Sequence, residues 1–372
     1  METLYRKYRP QKFSDLIGQD HIRKVLEGEL ATGRIAHAYI FSGPRGVGKT
    51  TVARIFARAL NCENRKDGAS EPCQTCDACK DILQGSAMDV IEIDAASNTG
   101  VDHVREHIIE NSRFAPTRLK YKIFIIDEVH MLSGSAFNAL LKTLEEPPAH
   151  VVFMMATTEL HKVPDTIISR CQRFAFLRIE LPAIVNLLKT VVQAEKIKVA
   201  PAVLESIARA SDGCPRDAES LLGQILALDD KEITEAQASL VLPQTYRSRV
   251  REFITYISAR KSKESVKYIH TLVNDGVQLS AFVKETVVVL REILLAKLEH
   301  GAQAVPEDFG EAEREIIAKF EITRLMKAVE NMNQARRDLD RADIAQLPLE
   351  LAALDLCFDE VKEKQPQVLP QV

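Results

Sequence analysis

The sequence predicts an α/β protein with a parallel sheet at its centre and an all-helical C-terminal region. Three observations support this fold class. A glycine-rich segment, residues 43–50, lies between an apolar run and a helix-like segment. Further short apolar runs are separated by helical patterns, as expected for a parallel sheet that is covered on both faces. Beyond about residue 243, only helical patterns recur.

The composition is that of a globular chain with more than one domain. Its 372 residues exceed the size of one typical core and favour two or three domains. With 49 Lys and Arg against 53 Asp and Glu, the formal net charge is −4, so any nucleic-acid contact must be local. No run approaches the roughly 18 apolar residues of a membrane span, and the N-terminus has no apolar signal core. We therefore expect a cytoplasmic protein without membrane contact, whose cysteines are thiols or metal ligands.

The glycine-rich segment has the pattern G-x-x-x-x-G-K-T, directly after the apolar run 38–41. Its glycines allow successive backbone N–H groups to face one anion, and the following helix adds its own free N–H groups. A chance glycine-rich turn is the alternative, but the strand and helix on either side favour a P-loop. This motif predicts ATP and Mg²⁺ as ligands, with Lys49 at the β and γ phosphates and Thr50 at Mg²⁺. The predicted nucleotide-binding residues are Gly43, Gly46, Val47, Gly48, Lys49, Thr50 and Thr51.

Strands and helices alternate on either side of the P-loop. Further buried strands are predicted at 90–93, 123–126 and 151–155, and an amphipathic helix at 20–31. Ser133 is expected to cap a later helix that ends at Pro147-Pro148, and Ser97, Asn98 or Thr99 to cap the helix before it.

Two adjacent acids, Asp127 and Glu128, follow the most apolar of these runs. Ligands bind at the carboxyl ends of parallel strands, so packing explains this pair poorly, although a solvated acidic turn is the alternative. With a P-loop upstream, Asp127 is expected to hold Mg²⁺, and Glu128 to polarise the attacking water.

Four cysteines, Cys62, Cys73, Cys76 and Cys79, interrupt the core pattern. The two-residue gaps suit tetrahedral Zn²⁺, and four thiolates leave no open position, so a structural zinc site is predicted. An iron–sulfur cluster is a second interpretation, but the further cysteine and proline of the bacterial ferredoxin run are missing. Unliganded thiols are a third.

The remaining sequence is helical in pattern. Three helices are predicted in 183–243, with Pro215 in the first turn of one. Long apolar stripes follow in 282–298 and 322–332, as in a core or an oligomer interface. The end of the chain is short and Pro/Gln-bearing, so a mobile tail is expected over 362–372.

Several motifs together closely resemble the gamma/tau family of bacterial clamp loaders, which are AAA+ ATPases. The resemblance covers about 4–243 and continues more weakly through 346–351. It rests on the P-loop, the cysteines and four further segments: Tyr5-Arg6-Lys7-Tyr8-Arg9-Pro10, Ile126-Asp127-Glu128-Val129-His130-Met131-Leu132, Leu144-Glu145-Glu146-Pro147-Pro148 and Ser169-Arg170-Cys171.

The resemblance implies roles for further residues. Asp127 and Glu128 would form the Walker B pair, and Thr158 would be the sensor-1 residue near the γ phosphate. Arg216 would be sensor 2, and Arg170 an arginine finger that reaches the ATP of a neighbouring subunit. The implied domains are an AAA+ domain at 1–180 with the zinc insert at 62–79, a lid at 181–243 and a helical collar for oligomerisation at 244–361.

The family also implies partners. They are the delta and delta' subunits, other gamma/tau copies, the beta sliding clamp and primed-template DNA. The polymerase core and the helicase would be partners only if a longer tau form exists, since the sequence ends at Val372. Any DNA-directed DNA polymerase or nucleotidyltransferase label would belong to the holoenzyme. Two other functions are possible, a branch-migration motor and a nucleotide-gated scaffold that does not hydrolyse ATP.

Overall fold

The computed structural model of the chain describes residues 3–66, 68–227, 232–233, 238, 246–306, 309–339 and 341–358. The chain divides into two compact units, Met1–Pro243 and Gln244–Val372. The finer division into AAA+ domain, lid, collar and tail stays a prediction. The expected tail at 362–372 lies outside the described residues.

A five-stranded parallel sheet forms the centre of the first unit, in the order β2-β3-β4-β1-β5. Because all neighbouring strands are parallel, their carboxyl ends meet at one edge. The predicted fold class is confirmed. The strands are β1 (Ala38–Ser42), β2 (Val90–Asp94), β3 (Lys122–Asp127), β4 (Val151–Thr157) and β5 (Gln172–Ala175).

Both faces of the sheet are buried, which explains why its central strands are continuous apolar runs. On one face, Tyr39 and Phe41 of β1 pack with Phe56 of the helix after the P-loop. On the other face, Phe124 of β3 and Phe153 of β4 stack with ring centroids 5.4 Å apart. The sheet is therefore held rigidly between two helical layers.

Strand β5 was not predicted. Within the described ranges it pairs only with β1, and it alternates between exposed and buried residues, so it has no apolar run to find. The sequence placed Arg170 after the last core strand; it actually precedes β5.

Seven helices are described in the first part of this unit. Ser133 caps α6 as predicted, because its Oγ accepts a hydrogen bond from Ala136 N at 3.2 Å. The predicted side-chain cap of α5 is wrong, since Gly100 is the N-cap and the side chains of Ser97 and Asn98 donate to Asp94 instead. The helices are α1 (Leu4–Lys7), α2 (Asp20–Thr32), α3 (Lys49–Leu60), α4 (Asp77–Gln84), α5 (Val101–Val104, continued by a π-helix at Arg105–Glu110), α6 (Gly134–Glu145) and α7 (Asp165–Ile168).

Three further helices follow β5: α8 (Leu181–Glu195), α9 (Pro201–Ala210) and α10 (Pro215–Leu226). Each has a proline in its first turn, where the missing N–H has no cost. A two-residue parallel pair, β6 (Lys198–Val199) and β7 (Glu232–Ile233), was not expected, because strands this short leave no pattern. Much of 228–245 lies outside the described residues.

The described part of the second unit is helical, as predicted. Its core is built from the apolar stripes and includes Phe253, Phe282, Ile293 and Leu325. No helix described in either unit combines the length and apolar character that a membrane crossing requires. The helices are α11 (Arg247–Ser258), α12 (Ser262–Asn274), α13 (Leu279–His300), α14 (Glu311–Ala318), α15 (Ile322–Asp338) and α16 (Leu347–Phe358).

Candidate functional site

The P-loop lies between β1 and α3 in the conformation that the sequence predicts. Gly46 and Gly48 have φ angles of 75° and 103°, which residues with a Cβ rarely adopt. Lys49 Nζ donates to the carbonyl oxygens of Gly43 and Pro44 at 2.9 and 2.8 Å. Burial lowers the pKa of Lys49, while the charges of Glu128 and Asp127 act in the opposite direction. The loop thus holds a buried cation where a phosphate chain would lie.

The two acids at the end of β3 connect to the P-loop and to β4. Thr50 Oγ1 donates to Asp127 Oδ2 at 2.8 Å. Thr158 donates to Glu128 Oε2 through Oγ1 at 2.9 Å and through its backbone N–H at 3.2 Å. The structure therefore brings Thr50, Asp127, Glu128 and Thr158 together, although 108 positions separate the first from the last in the sequence numbering.

Glu128 has an unusual backbone conformation. Its φ of 47° is in the left-handed region, which is uncommon for a residue with a side chain. Its N–H donates to Asp127 Oδ1 at 3.0 Å, and the following 3₁₀ turn, Val129–Met131, begins directly after it. Strain of this kind is found at functional sites, where the surrounding structure maintains it.

His130 is a site residue to which the sequence analysis gave no role. Its Nδ1 lies 3.0 Å from Thr157 Oγ1 and 3.4 Å from Glu128 Oε2, and its side chain is 6% exposed. Its Nε2 lies 3.6 Å from Glu159 Oε1. His130 thus packs against the carboxylate that Thr158 also orients. Its position, two residues after Glu128, was the only available signal.

A cavity of about 470 Å³ opens beside the P-loop. Its lining combines charged and apolar residues, as a nucleotide site requires. The charged lining residues include Lys49, Asp127 and Glu128, and the apolar ones include Ile17 and Leu187. Val47 and Thr51 both line the cavity, and Val47, which is 4% exposed, also packs in the core.

The four predicted cysteines form one cluster. Their sulfur atoms all lie within 4.8 Å of one another, and the sulfurs of Cys73 and Cys79 are 3.9 Å apart. Backbone N–H groups donate to three of the sulfurs, those of Cys62, Cys73 and Cys76. Such donors favour the thiolate form that a metal binds. The cluster fits a tetrahedral metal ion with four sulfur ligands.

Two family models match the chain. One, described as DNA polymerase III, delta subunit, matches residues 18–180. The other, described as DNA polymerase III clamp loader subunit, ATPase lid domain, matches residues 183–230.

Curated relatives extend the match. The DNA polymerase III subunit gamma of Buchnera aphidicola subsp. Acyrthosiphon pisum is 41% identical over 74% of this chain and 76% of its own length. The chain belongs to the DNA polymerase III gamma/tau family. The tau subunits of Bacillus subtilis and Escherichia coli are each 40% identical, over 100% and 81% of this chain. The chain spans 65% and 46% of these two tau subunits.

One solved structure with a weaker likeness is the Thermotoga maritima RuvB Holliday junction branch migration motor. It covers 67% of this chain and 79% of its own chain at 18% identity, with a TM-score of 0.48. The gamma/tau sequences confirm the family resemblance that the motifs predicted, and the RuvB structure adds nothing to that conclusion.

The two predicted arginines of this gamma/tau chain lie in different places. Arg216, in the first turn of α10, lines the P-loop cavity, and its guanidinium carbon is 4.9 Å from the centroid of the Tyr5 ring. Arg170 is not among the residues that line this cavity in the described part of the chain. Its guanidinium donates to Glu145 Oε1 and to Thr166 O, both at 2.6 Å.

The N-terminal arm is a second part of the site that the sequence analysis did not assign. Lys7 Nζ and Tyr8 OH donate to Glu195 of α8 at 2.7 and 2.8 Å. Tyr8 and Arg9 also line the nucleotide cavity. The alternation of basic and aromatic residues was the signal, but the partner of the arm lies 187 positions away.

Gly46→Ala should disrupt the contact between the P-loop and α10. A Cβ at this position would lie 2.2 Å from Cys214 Sγ and would require a left-handed backbone. We expect nucleotide affinity to fall and unfolding free energy to drop by roughly 1–3 kcal/mol in urea titrations. Gly100→Ala is the control, since its φ is −78° and no atom lies within 4 Å of the added Cβ. Equal behaviour of the two variants would contradict this prediction.

Proposed function

We propose that this chain is the ATP-hydrolysing subunit of a clamp loader that places the sliding clamp on primed DNA during replication. The observation that carries the ATPase proposal is the connected set Thr50, Asp127, Glu128 and Thr158 beside a buried P-loop lysine. Membership of the gamma/tau family supports the role in a clamp loader.

The site residues divide between holding ATP and activating water. Backbone N–H groups of 43–51 and Lys49 would bind the phosphates. Thr50 and Asp127 would hold Mg²⁺, which neutralises phosphate charge when bound. Glu128 would orient and polarise the attacking water, and Thr158, which donates to the same carboxylate, would fix its position relative to the γ phosphate.

Two arginines would complete the charge compensation. Arg216 already lines the cavity and is proposed as sensor 2. Arg170 is proposed as an arginine finger for the ATP of a neighbouring subunit. Its contact with Glu145 is a partly exposed ion pair, with side chains 34% and 50% exposed. Such a pair contributes about 0–1 kcal/mol to stability. Breaking it would therefore cost little if Arg170 moved to the ATP of a neighbouring subunit.

Zn²⁺ is the ion proposed for the cysteine cluster. Four cysteine sulfurs at these distances match a closed structural site, whose role is to hold the 62–79 insert together.

The proposed partners are the delta and delta' subunits, further gamma/tau copies, the beta clamp and primed-template DNA. The helical second unit would form the collar that joins subunits, and a cytoplasmic location goes with this role. Contacts with the polymerase core and the helicase are proposed only for a longer tau form. Any polymerase or nucleotidyltransferase label would belong to the holoenzyme.

ATPase measurements with and without primed DNA and sliding clamp test the function. We expect stimulation that requires both, and Lys49→Ala should abolish turnover because it removes the charge that faces the β and γ phosphates. Stimulation by branched DNA without clamp would indicate a branch-migration motor, and ATP binding without turnover a nucleotide-gated scaffold. Unchanged turnover in Lys49→Ala would contradict the assignment of the site.

Arg170→Ala should keep ATP binding in the assembled loader. Its rate of ATP hydrolysis should fall by about 10³- to 10⁵-fold if the arginine acts as a finger. Mixing shows whether it acts across an interface. Subunits with Lys49→Ala cannot use their own site but still offer Arg170, whereas Arg170→Ala subunits bind ATP but offer no finger. Mixed assemblies should hydrolyse ATP faster than either pure variant.

Glu145→Ala is the matched control for Arg170→Ala, because it removes the same ion pair and leaves the arginine. Its turnover should stay within about threefold of wild type, as expected for loss of a surface ion pair. If Glu145→Ala is as inactive as Arg170→Ala, the ion pair explains the effect. If co-assembled mixtures never recover activity, the action across the interface is refuted.

Cys76→Ser should reduce the zinc content of protein purified without chelators and lower the melting temperature, because one of four ligands is lost. Elemental analysis should find about one zinc per wild-type chain. Cys357→Ser, a buried cysteine in the second unit, is the control and should keep its zinc. Iron in the wild-type protein, or no metal at all, would refute the zinc assignment.

A further inference from the structure

A second and smaller cavity, of about 210 Å³, lies beside the nucleotide cavity. The segment 9–11, helix α3 and the C-terminal end of α4 form its walls. Its ionisable lining residues are three arginines, Arg9, Arg54 and Arg58, and one acid, Glu92. The lining therefore carries an excess of positive charge, in a chain whose net charge is negative.

Arg58 is the most unusual of these residues. It is 2% exposed, and its Nη1 donates to Gln11 Oε1 at 2.6 Å. Its Nε and Nη2 are buried and have no hydrogen-bond partner among the described residues. Guanidinium nitrogens are obligate donors, and leaving them unpaired away from water costs free energy that a bound acceptor would recover.

The acid in the lining does not meet this need. Both oxygens of Glu92 accept hydrogen bonds from Arg54, from Nε at 2.8 Å and from Nη2 at 2.6 Å. Arg9 makes no hydrogen bond or close ion pair through its guanidinium within the described parts of the chain. Burial lowers the pKa of Arg9, and the charge of Arg54 acts in the same direction, while the charge of Glu92 opposes both, so the net environment of Arg9 favours a further anion.

We propose that this second cavity is a binding site for a phosphate-type oxyanion. Arginine donors in a fixed fork match the oxygens of a phosphate, and two of the three arginines have donors to spare. The apolar side chains of Ile55 and Ile82 border the same space and strengthen electrostatic contacts within it. The cavity has less than half the volume of the nucleotide cavity, so it suits a phosphate group rather than a whole nucleotide.

The proposed site is separate from the ATPase proposal but shares a wall with the nucleotide cavity. Arg9, Pro10 and Thr51 line both spaces. The P-loop must therefore be filled or disabled when the second site is tested, since a P-loop binds phosphate itself. Saturation with a non-hydrolysable MgATP analogue fills it, including the γ-phosphate position, and the Lys49→Ala background serves the same purpose without nucleotide.

Leu83→Glu is the principal test variant. Leu83 lines the cavity and is 54% exposed, so a carboxylate is tolerated there and repels an anion in the site. Met88→Glu is the matched control, because it introduces the same charge at an 82% exposed position outside the lining. Orthophosphate is titrated calorimetrically, at constant ionic strength, into protein saturated with a non-hydrolysable MgATP analogue. We expect Leu83→Glu to weaken its affinity about tenfold or more, and Met88→Glu by less than about twofold.

Arg58→Gln gives a second measurement, since it removes the charge and should abolish phosphate binding in protein that melts cooperatively. If this variant does not fold, the comparison of Leu83→Glu with Met88→Glu still tests the proposed phosphate site. A short oligothymidylate without terminal phosphate, titrated in parallel, distinguishes a DNA backbone phosphate from a free one. The probe whose affinity falls in Leu83→Glu identifies the source. The proposal is overturned if wild type binds neither probe, or if Leu83→Glu and Met88→Glu bind equally.

Discussion

The hydrogen bond between Thr50 and Asp127 joins the two halves of the site, and the rest of the structure serves to hold these two residues in place. One belongs to the helix after β1 and the other to the end of β3. β4 lies between these strands, and its parallel register with both aligns their carboxyl ends. Two buried faces keep that register fixed, since a slip would expose large apolar side chains. The apolar core is thus what brings polar groups from distant segments within hydrogen-bond distance.

The helices after β5 are attached to the surroundings of the nucleotide cavity at two places. The first is the close approach of Gly46 to Cys214 and Arg216, where only a glycine fits. The second is the N-terminal arm, which lines the nucleotide cavity and is bonded to Glu195 of α8. A nucleotide in the cavity would contact the P-loop, the arm and α10 at once. Such an arrangement allows bound nucleotide to bias the position of the helices relative to the sheet.

Charges are distributed unevenly around this centre. Lys49 is buried among carbonyl oxygens and faces two carboxylates, whereas Arg58 is buried with two donors that find no partner in the part of the chain that the structure describes. Arg170 lies apart from both, in a partly exposed ion pair with Glu145. A weak surface ion pair is easily replaced by another contact of the same arginine. A buried unpaired donor costs free energy, which a bound anion would recover. The three cations therefore lie in different environments, which sequence alone does not distinguish.

By itself, the sequence determined the glycine-rich loop, the acid pair Asp127 and Glu128, the cysteine cluster and four of the five strands of the central sheet. Each of these is a local pattern: a fixed spacing of glycines or cysteines, or a continuous run that is apolar because both sheet faces are buried. It missed β5, because an edge strand with alternating burial leaves no such run. It also misplaced the cap before α5, because Asp94 competes for Ser97 and Asn98.

Only the tertiary structure decided which distant residues meet. The attachment of the N-terminal arm to α8, the contact of His130 with Glu128 and the second cavity around Arg58 all join segments far apart or differently oriented. A local pattern specifies the conformation of its own segment, but such contacts depend on how the whole core packs. That packing is a property of the complete chain, and no single segment encodes it.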